Sequence, residues 1–175
     1  MIKLMKLDSK KMELKKINDN IYKLTYNNVP LNFWTPKILL PFGLDNEYNK
    51  YLIRLELDEE KIEQEHFKKI LLQIEKNIKD KLELDSNEFK SVIKHRELKK
   101  DLVEIKIKTF KNNILTKIEY EDKENNYLKT IYDLPKQSYV KVLLEIDGIW
   151  DYRTDKKENN KVGLTVFVNK IIVLK

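Results

Sequence analysis

The sequence has no cysteine, two histidines, three glycines and four prolines among its 175 residues. Without thiols there are no disulfides, and nearly every structural zinc site is excluded. His66 and His95 stand at no metal-ligand spacing, and His66 reads as an ordinary surface or boundary histidine on a helix. There is no phosphate-cradling glycine loop, no serine at a nucleophile elbow and no HExxH, so most enzyme classes with a recognisable motif are disfavoured. Charges interrupt every apolar stretch, and no run approaches the roughly 18 residues that cross a bilayer. The opening MIKLMKLDSKKMELKK lacks the continuous apolar core of a signal peptide. The expectation is an intracellular, non-enzymatic chain with no cofactor, no metal and no membrane contact.

Charge is plentiful. Hydrophobic residues make up 41% and charged residues 37%, and the formal net charge is +6 with a pI near 9.1. A basic chain of this kind suits a polyanion partner. At 175 residues the default is one domain spanning 1–175, long enough to bury a full core.

The apolar pattern is mainly that of strands. MELKKI and NIYKLTY flank the turn Asn18-Asp19-Asn20. Tyr51, Ile53, Leu55 and Leu57 then alternate against Leu52, Arg54 and Glu56, the period of a half-buried strand. From Glu59 to about Leu82 the period changes: Ile62, Phe67, Ile70, Leu71, Ile74, Ile78 and Leu82 form a helical stripe, with Asp58 as the expected N-cap. A second helix is predicted from Ser86 to about Leu98, making a helical insertion over about 59–98. The rest is β: VEIKIKT, ILTKIEY, NYLKTIYD, the alternation Val140, Val142, Leu144, Ile146, and a final strand from Val162. Strands, helices, then strands is not a regular βαβ alternation. The predicted fold is a mainly β, closed or partly closed antiparallel barrel with helices between its two groups of strands.

Two constellations carry possible chemistry. Glu104-Ile105-Lys106, with Asp101 or Asp85 upstream, has the E-x-K form of a Mg²⁺-dependent nuclease, in which paired carboxylates hold the ion that activates water. E-x-K also arises by chance in a chain so rich in Lys and Glu. The other constellation interleaves aromatic and basic residues: Trp34 and Lys37; Phe42, Tyr48 and Lys50; Trp150, Tyr152, Arg153, Lys156, Lys157 and Lys161. Bases stack on aromatic faces and cations follow phosphates, the pattern of a single-strand binder. Trp34 shares parity with apolar neighbours, which favours the core. Trp150 and Tyr152 stand where a strand gives way to a loop flanked by Gly148 and Gly163. A basic β-barrel adaptor for protein or duplex nucleic acid is the third reading.

The segments TPKILLPFGLDNEYNKYLIRLEL and GIWDYRTDKKENNKVGLTVFVNKIIVLK resemble the paired signatures of single-stranded DNA-binding proteins of nucleo-cytoplasmic large DNA viruses, distant relatives of the podovirus-phage single-strand binder. Thr35-Pro36, Pro41-Phe42-Gly43, Ile149-Trp150 and Val162-Gly163-Leu164-Thr165 carry the likeness. The resemblance implies an OB-fold and non-specific binding of single-stranded DNA in replication, recombination or repair. It also implies replication partners such as a DNA polymerase, and it is compatible with a homodimer. An AT-rich virus or cytoplasmic linear plasmid, replicating in a host cytoplasm, would suit the composition. The phage relatives carry an acidic C-terminal tail that recruits polymerase; Asn169 to Lys175 contain no acidic run, so recruitment by that route is not implied here.

Overall fold

The computed structural model describes residues 8–47, 50–85, 87–111, 113–121, 130–153 and 162–175. Its strands in chain order are β1 (Met12–Asn18), β2 (Ile21–Tyr26), β3 (Leu31–Trp34), β4 (Ile38–Leu40), β5 (Leu44–Glu47), β6 (Lys50–Glu56), β7 (Phe89–Lys90), β8 (Ile93–Lys94), β9 (Leu102–Ile107), β10 (Thr109–Phe110), β11 (Asn113–Ile114), β12 (Lys117–Tyr120), β13 (Ser138–Asp151) and β14 (Val162–Val173). One α-helix, α1 (Ile62–Leu82), lies between β6 and β7.

β13 and β14 are the spine. They pair antiparallel along almost their whole length, with register shifts between Leu143 and Leu144 and between Ile146 and Gly148. Such bulges bend long strands, which lets this pair join several neighbours in series. The free edge of β13 meets β4, then β3, then β2. The other edge of β14 meets β7, β9 and β12, all parallel. The cycle β4–β6–β9–β14–β13–β4 closes a five-stranded barrel. In chain order this is 1-2-3-5-4-1, with the third and fifth strands parallel, and the barrel is OB-fold-like.

Period-two alternation puts one side of each long strand into the barrel. Val140, Val142, Leu144 and Ile146 of β13 are fully buried opposite Val166 and Val168 of β14 and Ile53 and Leu55 of β6. The helix adds Phe67, Leu71, Ile74 and Ile78 to the same core, and Phe67 meets Phe33 edge-on at 6.2 Å. Acidic Glu63 and Glu65 in its first turn, and Lys79 and Lys81 in its last, suit the helix dipole.

Three local expectations are corrected. The helix is capped at Lys61 without a side-chain bond; the Asp58 carboxylate is instead drawn to Lys100 at 2.9 Å and Lys61 at 3.5 Å. The second helix does not form: residues 89–94 make β7 and β8, because Phe89 and Lys90 pair with Val162 and Gly163, and Ile93 and Lys94 with Val103 and Leu102. The helical insertion therefore ends near Leu82. The first half of the strand expected over NYLKTIYD lies outside the described residues, and Ile131–Asp133 at its end is a turn of 3₁₀-helix. Among the described residues no helix is long and apolar enough to cross a membrane.

Candidate nucleic-acid interface

The outer face of the spine carries the candidate site. Past the bulge before Gly148, Trp150 points outward, half-buried, and its register partner on β14 is Gly163. A methyl group placed on Gly163 would stand 2.2 Å from Cζ2 and 2.5 Å from Cε2 of Trp150. The indole therefore covers the glycine backbone, and only a residue without Cβ leaves room for it. Tyr152, 38% exposed, follows with its ring centroid 5.7 Å from that of Trp150 and tilted by 34°. Two aromatic rings thus stand side by side at the strand's end, the arrangement on which bases stack.

Lysines surround them. Lys90 of β7 is the register partner of Gly163, so Ile21, Trp150, Gly163 and Lys90 form one row across β2, β13, β14 and β7. Lys106 of β9 is opposite Phe167 in the row Glu145–Phe167–Lys106–Leu52. A recess of about 80 Å³ between β7 and β9 joins the two rows, with Lys90, Lys94, Lys106 and Trp150 on its walls. Burial, then the neighbouring charges of Lys50 and Lys90, push the Lys106 amine below the ordinary lysine value. Burial and Lys90 do the same to Lys94, whose amine bonds only the Ser91 carbonyl, at 3.3 Å. Among the described residues Lys50, Lys90, Lys94 and Lys106 form no ion pair, whereas Lys68, Lys100, Lys108 and Lys170 do. Glu104 also lines the recess and draws on Lys94 and Lys106, but it is paired with Arg54, so the crowded lysines keep an excess of positive charge that suits a phosphate.

The β7–β8 turn that presents Lys90 and Lys94 is held from beneath. Glu75 of α1, 3% exposed, accepts hydrogen bonds from the Ser91 hydroxyl and the Val92 N–H, both at 2.9 Å. The Glu104 N–H ties the same turn to β9 through the Val92 carbonyl at 3.0 Å.

Arg153 follows just beyond the end of β13. Its guanidinium bonds both carboxylate oxygens of Asp151 at 2.8 to 3.2 Å and reaches the Leu82 carbonyl at the end of α1, at 3.3 Å. Burial would raise the Asp151 carboxyl, but Arg153 outweighs it and holds it below the ordinary value. These bonds fix the strand end to the helix.

Trp34, Lys37 and Phe42 gather elsewhere, toward the start of β13. Pro36 interrupts the strand, and Thr35, 3% exposed, takes over the ladder: its N–H donates to Val142 O at 2.8 Å and its hydroxyl accepts from Val142 N at 3.0 Å. The interruption flips the parity. Ile38 and Leu40 go into the core, while Trp34 opposite Leu143 turns outward and is half-buried. The parity argument that placed Trp34 with the core fails for this reason. Trp34, Lys37 and Lys141 line a cleft of about 720 Å³ with an apolar floor of Pro36, Ile172 and Leu174. Lys37 and Lys61 sit 4.9 and 5.3 Å from the Tyr139 ring centroid. Phe42 is 42% exposed on a turn that Gly43 makes with φ +72°. Leu143 and Trp150 are seven residues apart on β13, so the two aromatic stations are separated by about 23 Å of strand. Tyr48, Lys156, Lys157 and Lys161 lie outside the described residues.

The nuclease constellation does not assemble. Asp101, 5% exposed, is held by Lys68 at 2.7 Å and His95 at 2.8 Å. Glu104 pairs with Arg54 at 3.3 Å, and Asp85 is exposed on a loop. No group of three or more His, Cys, Asp or Glu among the described residues is placed to hold a metal.

Lys90, Lys94 and Phe167 join the candidate surface without standing out in the sequence pattern. Phe167 was hidden by alternation with Val166 and Val168, which reads simply as the far side of a core strand.

No family model and no curated protein sequence matches the chain. Solved structures do. The chain is similar to gp2.5, a single-stranded DNA-binding protein encoded by bacteriophage T7, with a TM-score of 0.53 at 8% identity over 84% of this chain and 87% of that one. It is also similar to the single-stranded DNA-binding protein of bacteriophage Enc34, in a C-terminally truncated form, with a TM-score of 0.53 at 13% identity over 96% and 97%. At these identities the likeness is one of fold.

Proposed function

We propose that the chain binds single-stranded DNA with little regard to base sequence, in replication, recombination or repair. The observation that carries this is the row Trp150–Gly163–Lys90: an indole seated on a glycine, beside a tyrosine and a group of unpaired lysines. Trp150 and Tyr152 supply stacking surfaces. Lys50, Lys90, Lys94 and Lys106 follow the backbone, and Trp34, Lys37 and Phe42 extend the track at the other end of β13. The second-to-third-strand face and the loops beside it are where OB barrels take oligonucleotides, and here that face is β6–β9. The phage single-strand binders of similar fold support the same reading. Fold alone does not decide function; the aromatic and basic surface is what supports this reading. Among the described residues the one α-helix packs its apolar face on the barrel core and none is offered to a groove, which favours single strands over duplex.

Fluorescence anisotropy with labelled single-stranded and duplex oligonucleotides of equal length tests this. The expected result is preference for single strands, similar affinity for random and homopolymeric sequences, and no Mg²⁺-dependent cleavage. Equal or tighter binding of duplex, or no binding of either, would overturn it.

A further inference from the structure

The β10–β11 hairpin stands outside the barrel sheet as a separate two-stranded ladder, Thr109 opposite Ile114 and Phe110 opposite Asn113. Its base is firmly anchored. The Leu115 N–H donates to Lys108 O at 2.8 Å, and the Lys108 N–H to Thr116 Oγ1 at 3.1 Å. The buried Thr116 hydroxyl in turn donates to Val168 O of β14 at 2.5 Å.

Its tip is different. Phe110 is 61% exposed, and the Lys111 amine lies 5.4 Å from its ring centroid. Among the described residues Lys111 is the one cation beside that ring, and no other aromatic ring stacks on it. Its position is informative: two residues earlier, Lys108 reaches to Glu145 of β13 at 2.5 Å. The hairpin therefore rises beside the row Glu145–Phe167–Lys106, which lies along β13 between the Trp34 and Trp150 stations.

We infer that the β10–β11 hairpin is a further contact for the bound single strand, a finger whose Phe110 stacks on a base while Lys111 meets the adjoining phosphate. This rests on the single-strand reading above. An aromatic ring held out beside a cation, over a face already lined with amines, offers a base one apolar surface and its phosphate one charge.

The test compares wild type, Phe110→Ala, Phe110→Trp and Trp150→Ala by anisotropy with one labelled single strand long enough to span both stations, beside melting curves. Phe110→Ala is expected to weaken binding by about 5- to 150-fold at a nearly unchanged melting temperature, because the ring is largely exposed. Phe110→Trp should restore affinity and add fluorescence that DNA quenches. If wild type binds and Trp150→Ala weakens binding, but Phe110→Ala binds as wild type does, the hairpin inference is overturned and the single-strand reading stands. Failure of Phe110→Trp to restore affinity would overturn stacking. If wild type binds no single strand, both fall together.

Discussion

Trp150 and Gly163 act as one unit, and that makes their role separable from general packing. If the indole is a stacking platform, Trp150→Ala should weaken single-strand binding by about 1–3 kcal/mol. The loss of folding stability should fall short of the roughly 3–5 kcal/mol of a fully buried tryptophan, since the ring is only half-buried. Gly163→Ala should do similar damage with the tryptophan still present, because the added methyl would occupy the space of the ring. The two losses should then not add: the double mutant should bind about as weakly as Trp150→Ala alone. Additive losses in titrations of the four proteins would mean that Gly163 acts elsewhere. The half-buried, outward position of Trp150 was legible in the sequence because it stands where a strand gives way to a loop flanked by Gly148 and Gly163. Trp34 was not. Its outward turn depends on a proline-driven parity flip and on a threonine hydroxyl replacing a ladder bond, and simple alternation cannot show either.

Elements, rather than residues, place the lysines. The β7–β8 turn has two very short strands and would drift without its tie to α1 through Glu75. Glu75→Ala leaves the buried Val92 N–H and Ser91 hydroxyl without their acceptor, at about 1–3 kcal/mol for such an orphaned group. The melting temperature should fall, and the surviving folded protein should bind DNA more weakly as Lys90 and Lys94 lose their positions. Charge alone predicts the opposite, because removing a carboxylate near lysines should favour a polyanion. Glu75→Gln separates the two effects: it keeps an acceptor oxygen, so affinity should be retained or rise. Equal weakening in both variants would refute positioning by this hydrogen bond. This turn was read as a helix because Phe89, Val92 and Ile93 fall at helical spacing, and two-residue strands are too short to display their own period. The long elements were legible for the converse reason. α1 keeps its stripe from Phe67 to Leu82, though the expected first member, Ile62, is exposed, and β6, β9, β13 and β14 each alternate long enough to declare a buried face. Barrel closure depends on which distant edges pair, and strand pattern alone gave only its class.

At the scale of the whole molecule, affinity should follow charge in two measurable ways. Each neutralised phosphate contributes about −0.7 to the slope of log K against log salt for single strands. Replacing Lys90, Lys94 and Lys106 together by Gln should therefore make that slope shallower by about 2, and an unchanged slope would place the phosphate track elsewhere. The second way is through protons. In the free protein the amines of Lys94 and Lys106 titrate below the ordinary lysine value of about 10.4, because of burial and of neighbouring lysines. A bound phosphate favours the ammonium form and should raise both again, so binding takes up protons in the alkaline range. Affinity should fall as pH rises through the depressed values of the free protein. Stability runs the other way for these two groups. Their folded values lie below the unfolded ones, so the penalty for folding around charged amines is full at neutral pH and eases as pH rises through the folded values. Titrations and melting curves taken in parallel from neutral pH to beyond the ordinary lysine value should thus show binding weakening while the burden these lysines place on the fold eases. Affinity that stays flat or rises over that range, with the protein still folded, would remove the two lysines from the phosphate track.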